Sequence, residues 1–285
     1  MIVHHLDGCP VRLRQPCDLS WVADLGTVFA VFDEQDSGNL CLGVTTSTGE
    51  RLFGKYAGAA TTEYEGTIAD AVARLRHAGE VFEALAHPSL VRLRERRDAG
   101  LTPDGEPGHL LVFDWTDAVP LGRQYGRAAE VRALPVAQRV DLVTRIIEFH
   151  VQAADRGWQC VDLYDGSVMV DLGADPARLV LCDVDMYQRA PLTNTMGRMW
   201  GSTRFMAPEE FTLGAALDER TTVFTLGSLA HALLGDSDTK ARGDWEADQR
   251  RFDVCHRARS ANRAGRHATA AELLTDWIGP DLGGS

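Results

Sequence analysis

The chain has 285 residues, 45% of them apolar and 25% charged, with a formal net charge of −12. That length and balance suit one or two compact domains with a real core. The acidic excess argues against a broad nucleic-acid face or an anionic membrane surface, which both need clustered Lys and Arg. The opening residues MIVHHLDGCPVRLRQP do not read as a secretory signal, and no apolar run approaches the ~20 residues of a membrane span. Six scattered cysteines without a Cys-x-x-Cys pair suggest reduced thiols in a cytoplasm, not a zinc site or a disulfide framework. Of 29 basic side chains only Lys55 and Lys240 are lysines, so arginine is used almost everywhere and a retained lysine invites a specific role.

Residues 26–32, GTVFAVF, read as a strand, followed by the polar loop DEQDSGN at 33–39. LCLGVTT at 40–46 and RLFGKYAG at 51–58 read as second and third strands across a Ser-Thr-Gly turn. Apolar residues at 68, 72, 75, 82 and 85 carry a helical period over 67–86, and His87-Pro88 ends it. LVRLRER at 90–96 and HLLVFD at 109–114 complete a five-stranded antiparallel sheet with one helix. Beyond residue 116 the pattern is mainly helical, with helices expected at 135–156, 220–234 and 268–278 and short strands at 168–171 and 179–184. The helix at 220–234 is apolar nearly all round, the mark of a buried helix. The expected class is therefore α+β, with a β-rich region 1–116 and an α-rich region 117–285.

Four features then fall in a fixed order: Lys55 after a strand-like run, Asp162 opening DLYDGS, Asp183 in LCDVD, and the segment GSTRFMAPEEF at 201–211. On these residues, over about positions 24–278, the chain resembles the protein kinases, most nearly the bacterial Ser/Thr type with divergent motifs. The resemblance implies a two-lobed fold that clamps ATP between the lobes, with Mg²⁺ as cofactor, and transfer of the γ-phosphoryl group to a hydroxyl. It implies that Lys55 pairs the nucleotide phosphates and that Asp162 receives the acceptor hydroxyl. It implies that Asp183 is the main metal ligand, joined by Ser167 in place of the usual asparagine, with Asp185 either a second metal ligand or a loop acid. The base would meet the backbone of Asp114 and Thr116, with Phe113 at the back, and the amides of Ser37 and Gly38 would face phosphate. Ala207-Pro208-Glu209 is an anchor whose glutamate should pair with Arg266 in a buried bidentate bridge.

The chain departs from the family at several places. The glycine-rich loop keeps one glycine, Gly38, among Asp33, Glu34 and Asp36. The helix acid expected to pair with Lys55 is Ala78 by count; Glu80 is the nearest substitute, with Glu83 and Glu65 as alternatives. Cys160-Val161 stands for His-Arg, Tyr164 for a lysine, and Thr222 for an aspartate that tethers the catalytic loop. The acceptor is expected to be a protein, because 201–211 forms the family's peptide platform. A small-molecule kinase is the alternative suggested by Tyr164 and Asp185, and a pseudokinase binding or scaffold module the one suggested by Ser167, Ala78 and Val161.

Overall fold

In the computed structural model, residues 1–279 are described. The last six positions of the expected 117–285 region lie outside them. Contacts divide the chain into two compact units: Met1–Ala86 with Val91–Thr116, and His87–Leu90 with the chain from Asp117 onward. The class is α+β, with an antiparallel sheet and, among the described residues, six α-helices.

The first unit opens with a hairpin of β1 (Ile2–Leu6) and β2 (Cys9–Leu13). Its turn residues Asp7 (φ 49°) and Gly8 (φ 87°) both occupy the left-handed region, as a two-residue turn between twisted strands requires. The five-stranded sheet follows from β3 (Thr27–Phe32), β4 (Leu40–Thr45), β5 (Arg51–Ala57), β6 (Leu93–Leu101) and β7 (Pro107–Asp114), in the order β3-β4-β5-β7-β6. Strand side chains alternate between faces. One face carries Leu40, Leu42 and Val44 of β4 with Tyr56 of β5 and Leu110 of β7, all fully buried. This face packs on Val11 and Leu13 of the hairpin and on Trp21 and Val22 of a short turn of helix at Ser20–Asp24. The first 25 residues are thus the cover of one sheet face. Each large side chain buried there contributes about 1.5–3 kcal/mol.

The opposite face carries Cys41, Gly43, Phe53, Lys55, Leu111 and Phe113, as the register of β4, β5 and β7 dictates. Helix α1 (Ile68–Ala84) covers part of it. The Thr67 hydroxyl caps that helix, accepting from the Asp70 amide at 3.0 Å. α1 presents Ala71, Leu75, Ala78, Val81 and Phe82 inward, and Phe82 meets Phe113 edge to face at 4.8 Å.

The second unit is built on α3 (Val136–Asp155), α4 (Glu219–Leu234), α5 (Gln249–Ala258) and α6 (Ala270–Ile278), with a short α2 (Ala128–Arg132) before them. α4 is buried over nearly its whole length, as its all-round apolar pattern requires. A small antiparallel sheet joins β8 (Val119–Pro120), β10 (Val168–Asp171) and β11 (Arg178–Leu181). A second pairing joins β9 (Trp158–Gln159) to β12 (Gln188–Arg189). The loop from β9 to β10 and the turn leaving β11 carry the candidate catalytic residues. Among the described residues, no helix is long and apolar enough to cross a membrane.

Candidate functional site

The residues of the second unit converge on Asp162. It lies in the β9–β10 loop with φ 60°, a conformation few non-glycine residues adopt, and Asp is among those that tolerate it best. Such backbone strain persists where surrounding contacts over-determine it, often at functional sites. Gly201 (φ 136°) faces it: a methyl group on that residue would stand 3.6 Å from Asp162 Oδ1. The start of the 201–211 segment therefore lies against the loop that carries Asp162.

Asp162 and Asp183 share an environment. Burial raises the Tyr164 phenol above its ordinary range, and the negative charges of Asp183 and then Asp162 raise it further. Burial, with Cys160, Asp183 and Asp162, does the same to Tyr187. The Cys160 thiol is pushed up to about 12, by burial above all and by Glu210 and Asp162 in addition. Burial is the largest cause in all three; the charge of Asp162 adds to it in each, and that of Asp183 in the two tyrosines.

Ser167 stands beside Asp183 by register. Its carbonyl accepts from the Cys182 amide at 3.0 Å, and Val168 pairs with Leu181. Its buried hydroxyl accepts a long bond, 3.4 Å, from the Tyr164 amide. Asp185 is half-buried two residues further on. The donors offered by Asp183, Ser167 and Asp185 are all oxygens, which fits Mg²⁺ bound by one or two carboxylates and completed by phosphate oxygens. A self-sufficient cage is a different matter: among the described residues no three His, Cys, Asp or Glu side chains group closely enough to hold a metal.

Three links hold the loop and the 201–211 segment that faces it. Arg266 grips Glu209 through bonds of 2.7 and 3.1 Å, the expected anchor pair. Gln159 Nε2 donates to Thr222 Oγ1 at 2.9 Å, both residues buried. A tether from α4 to the start of the loop therefore exists, formed by Thr222 where the family resemblance implies an aspartate. Asp165, also buried, accepts both guanidinium nitrogens of Arg204 at 2.9 and 3.0 Å. Arg204 belongs to the 201–211 segment, so this pair joins that segment to the loop. Ser202 contributes by its carbonyl, which accepts from the Phe205 amide at 2.9 Å. The sequence signal for the Arg204 link was an acid at 165 and an arginine at 204 in a chain region already singled out; only the fold could match them.

In the first unit, Lys55 is half-buried in the middle of β5, between Cys41 of β4 and Leu111 of β7. Glu80 lies exposed on α1, while Ala78 faces the sheet fully buried. Two residues turn a helix by about 200°, so the two positions cannot present the same face. Glu83, the other acid considered on this helix, bonds Arg96 at 2.8 Å. Asp114 spends its amide on the Arg92 carbonyl at 3.0 Å, and its side chain pairs with Arg94. Phe113 is buried, and Thr116 ends the unit.

The 33–39 loop is folded back on its own unit. Asp33 is buried and takes three bonds from Arg12 of β2, the amide at 2.6 Å and the guanidinium at 3.1 and 2.8 Å. Burial alone would raise its carboxyl; the Arg12 bonds outweigh that and hold it below the ordinary range. Glu34 also reaches Arg12, at 2.5 Å. Asp33 and Glu34 are thus both paired with Arg12. Gly38 (φ 81°) lies under the Tyr64 ring, and its amide donates to the Gln35 carbonyl at 3.4 Å. The Ser37 carbonyl accepts from Arg74 of α1 at 3.1 Å, and Arg74 stacks on Tyr64 at 4.9 Å.

No family model and no curated protein matches the chain.

Proposed function

We propose that the chain is an ATP- and Mg²⁺-dependent phosphotransferase with a two-lobed, protein-kinase-like fold, acting on a hydroxyl of a protein. The observation that carries this reading is the second unit's constellation: Asp162 at φ 60° in the β9–β10 loop and faced by Gly201, with Ser167 paired in register beside Cys182-Asp183. In this reading the acceptor oxygen attacks the γ-phosphorus, the bond to the ADP oxygen breaks, and the acceptor proton passes to the Asp162 carboxylate. Lys55 balances charge on the nucleotide phosphates. Asp183 and Ser167, with Asp185, would hold Mg²⁺, which when bound neutralises phosphate charge. Catalysis is then mostly positioning and electrostatics. The ordered 201–211 segment, anchored at both Arg266 and Asp165, favours a polypeptide acceptor over a small molecule.

The test is incubation of the purified chain with labelled ATP and Mg²⁺, with the two aspartates changed in turn. Asp183→Asn is expected to lose metal-dependent nucleotide binding. Asp162→Asn is expected to keep binding and lose turnover by at least 10²-fold, the range of a positioned base. Full turnover in Asp162→Asn would remove the catalytic assignment.

One observation favours a second reading, a pseudokinase binding module. The Gly38 amide donates within the first unit, to the Gln35 carbonyl at 3.4 Å, which lowers the loop's capacity to receive phosphate. Absence of any thermal shift with MgATP, together with absence of turnover, would select it.

A further inference from the structure

The sheet face that bears Lys55 carries a second arrangement. Its side chains form three rows across β4, β5 and β7: Cys41, Lys55 and Leu111; Gly43, Phe53 and Phe113; Thr45 and Arg51, with Trp115 just past the end of β7, its amide donating to the Arg51 carbonyl at 3.3 Å. Successive rows are about 7 Å apart, two residues of strand rise. In the middle row Gly43 leaves the backbone bare. A methyl group on Gly43 would lie 2.7 Å from the Phe29 ring and 2.9 Å from the Trp115 ring, so those rings fill the notch. They meet edge to face at 4.8 Å and 75°, and the Arg51 guanidinium stands 5.9 and 5.6 Å from their centres. Phe29 sits at the bulge of β3 between Val28 and Ala30 and is 38% exposed. A bulge leaves its extra residue outside the regular ladder. Phe29 can therefore swing out without disturbing the core, which lies on the other face.

We propose that Phe29 is the plug of the base-binding part of the nucleotide site, an inference that rests on the phosphotransferase reading. With Lys55 on the phosphates in the first row and Thr116 at the base edge beyond the third, the middle row receives the base. Phe29 and Trp115 occupy that place in the closed state. Binding exchanges the contacts of Phe29 for those of a flat heterocycle lying on Gly43 and against Phe53. Observed affinity is then the intrinsic affinity reduced by the fraction of molecules with the notch open. An edge-to-face pair of this kind accounts for a closed-state bias of about two- to tenfold. The site selects a planar ring, because a bulkier group would meet the Gly43 backbone.

The experiment is calorimetric titration of the full chain, as wild type, Phe29→Ala and Phe29→Leu, with MgADP and separately with magnesium tripolyphosphate, which has no base. Phe29→Ala should bind MgADP about two- to tenfold more tightly, Phe29→Leu should fall between it and wild type, and all three should bind tripolyphosphate alike. Equal or weaker MgADP binding by Phe29→Ala overturns the plug and leaves the phosphotransferase reading standing. Should Phe29→Ala not fold, wild-type MgADP affinity in folded Phe29→Leu overturns it. MgADP binding by neither wild type nor variant overturns both. Tighter tripolyphosphate binding in the variants also overturns it, because the effect would then not be at the base.

Discussion

Replacing Arg266 by alanine should cost about 3–5 kcal/mol, the usual penalty for removing one partner of a buried ion pair. The magnitude follows from what Arg266 leaves behind. Its side chain is fully buried and makes four bonds: two to Glu209, one to the Arg220 carbonyl at 3.0 Å, and one to the Ser260 carbonyl at 2.8 Å. Without it, Glu209, itself only 10% exposed, keeps the Thr221 hydroxyl at 2.8 Å and a distant Arg263 at 3.9 Å. Urea unfolding at pH 7 should report the loss, and thermal unfolding should show a fall on the order of 10 °C for a unit of this size. The pH dependence supplies a sharper check. Burial raises the Glu209 carboxyl, but the Arg266 bond, its own amide and Thr221 outweigh it and hold it below the ordinary range. A depressed carboxyl contributes stability above its unfolded pKa and loses it as pH falls through the folded one. In Arg266→Ala burial is opposed only by the amide and Thr221, the carboxyl rises, and its protonation on acidification relieves the stranded charge. The gap between wild type and variant should therefore narrow on acidification. A variant within 1 kcal/mol of wild type at pH 7, or a gap that widens in acid, would refute the reasoning.

Thr222→Val should destabilise the second unit by about 1–3 kcal/mol, because it strands the buried Gln159 amide, and should lower phosphotransfer more than nucleotide affinity; denaturant melts and labelled-ATP turnover check the two parts. Glu210 is buried and accepts from the Ala207 amide at 2.6 Å, yet burial, Glu209 and Asp162 push its carboxyl up to about 7. A raised carboxyl costs stability as pH climbs from its unfolded value to its folded one, so the wild type should lose stability between about pH 4.5 and 7 while Glu210→Gln loses less. Melting temperatures measured across that range decide it, and parallel curves would count against the assignment.

Much of the first unit could be read because its signals are local. Alternation in LCLGV and RLFGKYA, with turn residues between, specifies paired strands, and the five-stranded sheet forms with the expected members. The hairpin at Ile2–Leu13 was overlooked although Asp7-Gly8 between alternating apolar residues is among the strongest hairpin signals. That hairpin covers one sheet face and carries Arg12, the partner of Asp33 21 residues away in sequence. The α5 helix was overlooked for a different reason: only Val254, Cys255 and Ala258 of its ten residues are buried, so its apolar stripe is thin. Glu80 shows where counting fails, since one residue's shift along a helix is 100° of rotation. The Glu209–Arg266 pair was readable only through the family resemblance; nothing local joins positions 57 apart.

The departures in the second unit bear on the choice between enzyme and binding module. Buried polar groups are paired in any stable fold, so what bears on the choice is where these bonds hold the chain. Thr222 does not leave a gap: with Gln159 it forms a neutral buried pair, which holds the same two elements with less desolvation than a buried carboxylate demands. Asp165 and Arg204 bind the loop to the 201–211 segment through a charged, two-pronged contact that resists both sliding and rotation. Between them these links fix the strand that enters the loop, the loop itself and the segment facing it. Both use only residues of the second unit, at Gln159 before Asp162 and at Asp165 after it. That restraint is what a positioned base requires, and it is why the phosphotransferase reading stands ahead of the binding module.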